Sequence, residues 1–136
     1  MSEDGAERGV AIVLGHGDLA SGLVSAVHQI TGCGSRFIAL SNTGLATPEI
    51  ETLLRERLEA TGARVIFTDL PAGSCNFAAC RLLRELPDLI VVTGVSLPVL
   101  LHYATHAELP PAEAAAQAAA RGAASLKVLS GTPREH

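Results

Sequence analysis

Tryptophan is absent from this 136-residue chain, and aromatic residues of all kinds make up only 3% of it. With so few flat rings there is no stacking platform for bases or sugars. Positive charge is scarce as well: 10 Lys and Arg against 14 Asp and Glu leave a net charge of −4, without the basic footprint of a nucleic-acid binder. Cysteine is limited to Cys33, Cys75 and Cys80, an odd number with no metal-type spacing. That usage argues against a disulfide framework and predicts a reducing, cytoplasmic setting, with no resident metal and no cofactor. No uncharged apolar run approaches the roughly 18 residues of a membrane helix. The polar, acidic opening Met1–Arg8 has no apolar signal core. What is present is 48% hydrophobic and 18% charged, the composition of a folded globular protein. A single domain is expected over residues 1–136, with flexible tails at 1–8 and 131–136.

The rest of the chain is organised around VAIVLGHGDLASGL, residues 10–23. Val10–Leu14 is short, apolar and rich in β-branched residues, and predicts a fully buried strand. It stops at Gly15-His16-Gly17, and apolar residues then recur at Ala20, Leu23, Val24, Val27 and Ile30, the spacing of an amphipathic helix that ends near Gly32. A second strand is expected at Arg36–Leu40. A helix follows with Thr47 as N-cap, Pro48 in its first turn and Ile50, Leu53, Leu54 and Leu58 as its buried stripe. Arg64–Thr68 predicts a third strand, with Asp69 at its end. Ser74 is the expected N-cap of a third helix, Leu89–Val95 a fourth strand, and Leu97–Ala104 a helix buried on several sides. Pro110-Pro111 opens a fifth helix through the alanine run, and Ser125–Leu129, carrying Lys127, is expected as a C-terminal edge strand.

Strands alternating with helices predict a three-layer α/β fold: an open, mainly parallel sheet with helices on both faces. Right-handed crossovers favour a strand order beginning 2-1-3-4. The carboxyl ends of strands one and three are then neighbours, with a crevice at the switch point where ligands collect. His16 closes the first of these strands and Asp69 the other. A carboxylate there can accept the proton of one ring nitrogen, fix the tautomer, and leave the other nitrogen with its lone pair. The N–H groups of Gly73, Ser74 and Cys75, at the start of a helix, provide an anion cradle alongside. Nucleophilic histidine, orienting carboxylate and anion site together indicate phosphoryl transfer through a phosphohistidine. Leu19, Leu70 and Pro71 flank the site as a candidate apolar docking rim.

At these residues the chain resembles the enzyme IIA domains of the mannose family of the bacterial sugar phosphotransferase system. The likeness rests on VLGHGDLASGL, FTDLPAGSCNFAACRLL and VVTGVSLPVLL, in that order. GHG-x-x-ASGL is most similar to the branch handling amino sugars such as N-acetylgalactosamine. The resemblance implies a phosphoryl relay from the carrier protein HPr to His16 and on to a IIB partner, with Asp69 as the adjacent carboxylate and Ser74 in the family's loop. It also implies a homodimer, in some members with an exchanged C-terminal strand, that can associate with a membrane permease complex without inserting itself. One departure stands out: many members read Gly-Gly-Ser-Pro-Phe-Asn where this chain reads Ala72-Gly73-Ser74-Cys75-Asn76-Phe77.

Four other readings compete. A phosphorylation-dependent regulatory domain would use the same His16 to bind a protein partner. A receiver-like domain phosphorylated on Asp69 would use Thr93 and Lys127, but lacks the second acid that holds Mg²⁺. GHGDLA fits the G-x-G-x-x-A of a dinucleotide site, although Ser41 and Asn42 stand where its acidic residue belongs. Cys75 to Arg81 has the spacing of cysteine phosphatases, yet no glycine lies between them to build the loop. His102 and His106, an i, i+4 pair without an accompanying glutamate, are expected to be solvated or to cap a helix end.

Overall fold

The expected first strand lies at the centre of the sheet. In the computed structural model, which describes residues 10–131, β1 (Ala11–Gly15) is buried along its whole length. It is followed by α1 (Leu19–Thr31), a 3-10 turn at Gly34–Arg36, β2 (Phe37–Ser41), α2 (Thr47–Thr61), β3 (Val65–Thr68) and α3 (Ser74–Leu82). β4 (Ile90–Val92), α4 (Leu97–Ala104) and α5 (Pro111–Ser125) complete the order. The four strands are parallel and ordered β2-β1-β3-β4, the arrangement that right-handed crossovers predict.

Side chains alternate across β1, and this divides the core in two. Ala11 and Val13 face α1, α4 and α5, where Phe37, Phe67 and Tyr103 pack ring against ring with centroids 5.2–6.2 Å apart. Ile12 and Leu14 face α2 and α3, meeting Ile50, Leu54, Leu58, Ala78, Ala79 and Leu82. Each fully buried Leu or Ile there stabilises the fold by ~1.5–3 kcal/mol. From outside, Arg81 of α3 pairs with Glu51 of α2 at 2.9 Å, and Arg55 of α2 pairs with Glu85 in the turn after α3 at 2.7 Å. Such exposed pairs contribute ~1 kcal/mol at most.

Three expectations are corrected. α2 and α3 each begin one residue earlier than expected, so Ala46 and Gly73 are the caps, and Thr47 and Ser74 are the first helical residues. Glu49 Oε1, rather than a threonine hydroxyl, accepts the Ala46 N–H at 2.7 Å. The larger correction concerns Ser125–Leu129. Ser125 ends α5, and residues 126–131 pair with no strand among the described residues, leaving Leu126, Val128 and Leu129 almost fully exposed. The helix runs past Gly122, where a Cβ would clash with Val99 Cγ2. The expected tails fall outside the described residues, apart from Gly131.

Candidate active site

β1 and β3 are registered with Leu14 beside Thr68, so the chain reaches Gly15-His16 and Asp69 at the same edge. One carboxylate oxygen holds the histidine twice. Asp69 Oδ2 accepts the backbone N–H of His16 at 2.9 Å and lies 2.8 Å from its Nδ1. Burial alone would push the Asp69 carboxyl up, but the bonds from the His16 ring and amide outweigh it and hold the pKa below the ordinary value. An ionised carboxylate has only lone pairs to offer, so the ring contact requires Nδ1–H as donor. In the neutral ring, Nε2 then carries the lone pair. The His16 side chain is 48% exposed and that of Asp69 only 7%, so the acid supports the ring from beneath.

Each glycine beside His16 has a separate physical task. A Cβ at Gly15 would stand 3.3 Å from Asp69 Oδ2, crowding the oxygen that makes both bonds. Gly17 has φ +56°, a left-handed turn that carries the chain from the strand edge into α1 at little steric cost. The loop after β3 is anchored from below: Thr68, fully buried, places Oγ1 3.3 Å from Asn76 Oδ1, and Asn76 Nδ2 donates to the Pro71 carbonyl at 3.0 Å. Neither residue stands out in the sequence, because a polar side chain that braces a loop has no periodicity to reveal it.

The expected anion cradle lies at the start of α3, with Gly73 as its cap and Ser74, Cys75 and Asn76 in its first turn. Cys75 is buried and contributes to the core beneath the site. Burial pushes its thiol up to about 11, and the Asp69 charge adds to the shift. Leu19, Leu70 and Pro71, the expected docking rim, are all exposed, and Phe77 in the first turn of α3 is a further exposed apolar side chain. One ligand atom each from His16, Asp69 and Cys75 lies within 4.8 Å of the others. Their sequence spacing gave no sign of this cluster.

Two of the competing arrangements do not assemble. Lys127 lies in the exposed stretch beyond α5, away from any strand, so the receiver-like set does not form. Cys75 and Arg81 share the helix α3, and Arg81 is bound to Glu51. His102 and His106 stack with centroids 3.9 Å apart, and His106 Nδ1 sits 2.7 Å from the His102 carbonyl, which makes the pair a helix-end cap.

The family profile described as "PTS system fructose IIA component", of the EIIA-man type, matches residues 10–120. No curated protein matches the sequence significantly. Among solved structures, the mannose/sorbose-specific IIA subunit of the phosphotransferase system from Enterococcus faecalis superposes with a TM-score of 0.79 at 18% identity, over 94% of this chain and 99% of that one. The component EIIA from Streptococcus agalactiae gives 0.72 at 18% identity, over 83% and 93%. A Klebsiella pneumoniae protein, provisionally described as a phosphoenolpyruvate-dependent sugar phosphotransferase system permease, gives 0.76 at 25% identity, over 88% and 89%.

Proposed function

Because the chain belongs to the EIIA-man family of phosphotransferase-system IIA components, a family of phosphoryl carriers, we propose that it accepts a phosphoryl group from HPr on His16 and passes it to a IIB partner. The observation that carries this reading is the double hold of Asp69 Oδ2 on the His16 amide and Nδ1. The Nε2 lone pair attacks the phosphorus of the donor's phosphohistidine, a new N–P bond forms, and the donor's N–P bond breaks as its imidazole leaves. His16 gains positive character, which the Asp69 carboxylate offsets through the proton retained on Nδ1. Gly73, Ser74 and Cys75 receive the phosphoryl oxygens at the N-terminus of α3. The same steps in reverse deliver the group to IIB. The exposed Leu19, Leu70 and Pro71 form the rim on which both partners dock.

The resemblance of GHGDLASGL supports a system for mannose-type or amino sugars, the N-acetylgalactosamine branch being similar in pattern. We assign it to the cytoplasm, working beside a membrane permease; no helix among the described residues is long and apolar enough to cross a membrane. We also assign a homodimer. β4 has one free edge, and a groove of about 360 Å³ opens beside it, lined by Val92, Pro98, Val99, Ala119, Ala123 and Leu126 among others. The apolar stretch 126–131 has no strand partner within its own described chain and fits the free edge of a second copy.

Phosphoenolpyruvate, enzyme I and HPr test the central reading. One phosphoryl group is expected per chain, in an acid-labile, base-stable linkage, and none in His16→Ala. Undiminished labelling of His16→Ala overturns the assignment.

A further inference from the structure

We propose that His16, Asp69 and Cys75 form a binding site for a zinc-class divalent cation, and that this cation and the phosphoryl group exclude one another. The donors are an imidazole nitrogen, a carboxylate oxygen and a sulfur, all within 4.8 Å of one another. Hard cations such as Mg²⁺ and Ca²⁺ take oxygen ligands, whereas a mixed N/O/S set suits Zn²⁺. Zinc bonds of ~2.0–2.3 Å put neighbouring tetrahedral ligands ~3.3–3.8 Å apart, so the widest separation needs to close by about 1–1.5 Å.

A second observation points to the same place. Asp69 Oδ1 is buried with no hydrogen-bond partner, on a side chain only 7% exposed. An anionic oxygen desolvated and left unpaired is costly, and a cation held by the Asp69 carboxylate offsets that cost. The half-exposed His16 ring leaves an entry path, and three protein ligands leave a fourth position open to water. Cys75, fully buried, forms the floor.

On binding, the Cys75 S–H proton passes to solvent and a metal–sulfur bond forms. If the ion takes Nε2 of His16, it occupies the lone pair that would attack phosphorus. If it takes Nδ1, the remaining ring proton resides on Nε2, and the lone pair is again lost. Either route prevents phosphoryl acceptance. This exclusion rests on the phosphoryl-carrier reading, while metal binding itself does not.

Cobalt(II), as the spectroscopic stand-in for zinc, tests both parts on the full-length protein. One equivalent is expected to bind with a thiolate-to-metal charge-transfer band and tetrahedral visible bands, displaced by one equivalent of Zn²⁺. Cys75→Ala should remove the charge-transfer band. His16→Gln should keep it and weaken binding by more than about tenfold, the least that loss of even an outer-shell partner commonly costs. Cys80→Ala should change neither, and circular dichroism of each variant separates lost ligation from lost fold. No charge-transfer band in the wild type, or one that survives in folded Cys75→Ala, overturns the site. Protein phosphorylated on His16 should bind cobalt at least about tenfold more weakly, since exclusion is reciprocal. Equal affinity in the two forms overturns the exclusion. If His16 takes no phosphoryl group, the carrier reading fails, and the cobalt titration of unmodified protein still decides the site.

Discussion

β1 and β4 are strands of one parallel sheet with opposite circumstances. β1 is paired on both sides and all five of its residues are buried. β4 spans three residues, all half-buried, and among the described residues pairs with β3 alone. At the end of β1, Asp69 of the loop after β3 grips His16 by two bonds from a single oxygen. Beside β4, a groove and a run of apolar residues are left uncovered. The comparison teaches that precision is concentrated where the sheet is complete on both flanks. The proposed association falls where one flank is free.

The sharpest way to break this contrast is to loosen the centre. Asp69→Asn retains the shape but loses the charge, and its amide no longer dictates which ring nitrogen carries the proton. Phosphoryl transfer from HPr, followed by rapid quench, should slow by about 10- to 100-fold, the range seen when a partner orienting a histidine is removed. The same variant reports on acid stability. Because the folded Asp69 pKa is lowered, its contribution is complete above the ordinary carboxylate value of about 3.9 and is lost as pH falls through the folded value. Denaturation in the acid limb should therefore show a loss in the wild type that Asp69→Asn lacks.

At the free edge, the corresponding perturbation is Val128→Pro, which removes a backbone donor from the stretch 126–131. Sedimentation should show the dimer dissociating at concentrations where the wild type remains associated, by about tenfold or more in the dissociation constant, equivalent to 1.4 kcal/mol. Thermal stability of the monomer should hardly move, since Val128 is almost fully exposed. A dimer unaffected by this change would move the interface elsewhere.

The smallest effect separates helix packing from helix propensity. Gly122→Ala gains up to about 1 kcal/mol of propensity but forces a Cβ against Val99 Cγ2. Overpacking costs about 1–3 kcal/mol, so the net change should be destabilising. A Tm lowered by about 4 °C per kcal/mol is the expected reading in a calorimeter. A raised Tm would mean that α5 leans away from α4 there.

These regions differ in how far the amino-acid sequence announces them. The apolar run before Gly15 could only be a buried strand, and its abrupt end at His16 located the switch point. Asp69 followed from strand order, because adjacent parallel strands end together. SLKVL has the alternation of an edge strand, yet pairing requires a partner, and alternation says nothing of whether one lies in the same chain. Gly122 carries no signal of its own in the sequence, whereas its packing partner is Val99, 23 residues away along the chain. The grouping of His16, Asp69 and Cys75 was equally hidden. Its three donors come from the turn after β1, the loop after β3 and the first turn of α3, and no local spacing encodes their meeting.

The anchoring of His16 from beneath leaves one approach to its ring. If both proteins of the relay must reach the same nitrogen from the same side, their footprints overlap and no ternary complex can form. Each cycle then requires one visitor to depart before the next can land, and turnover is limited by how quickly they let go. Contacts on the Leu19, Leu70 and Pro71 rim would accordingly be held weak, because a partner bound too tightly would stall the traffic it serves.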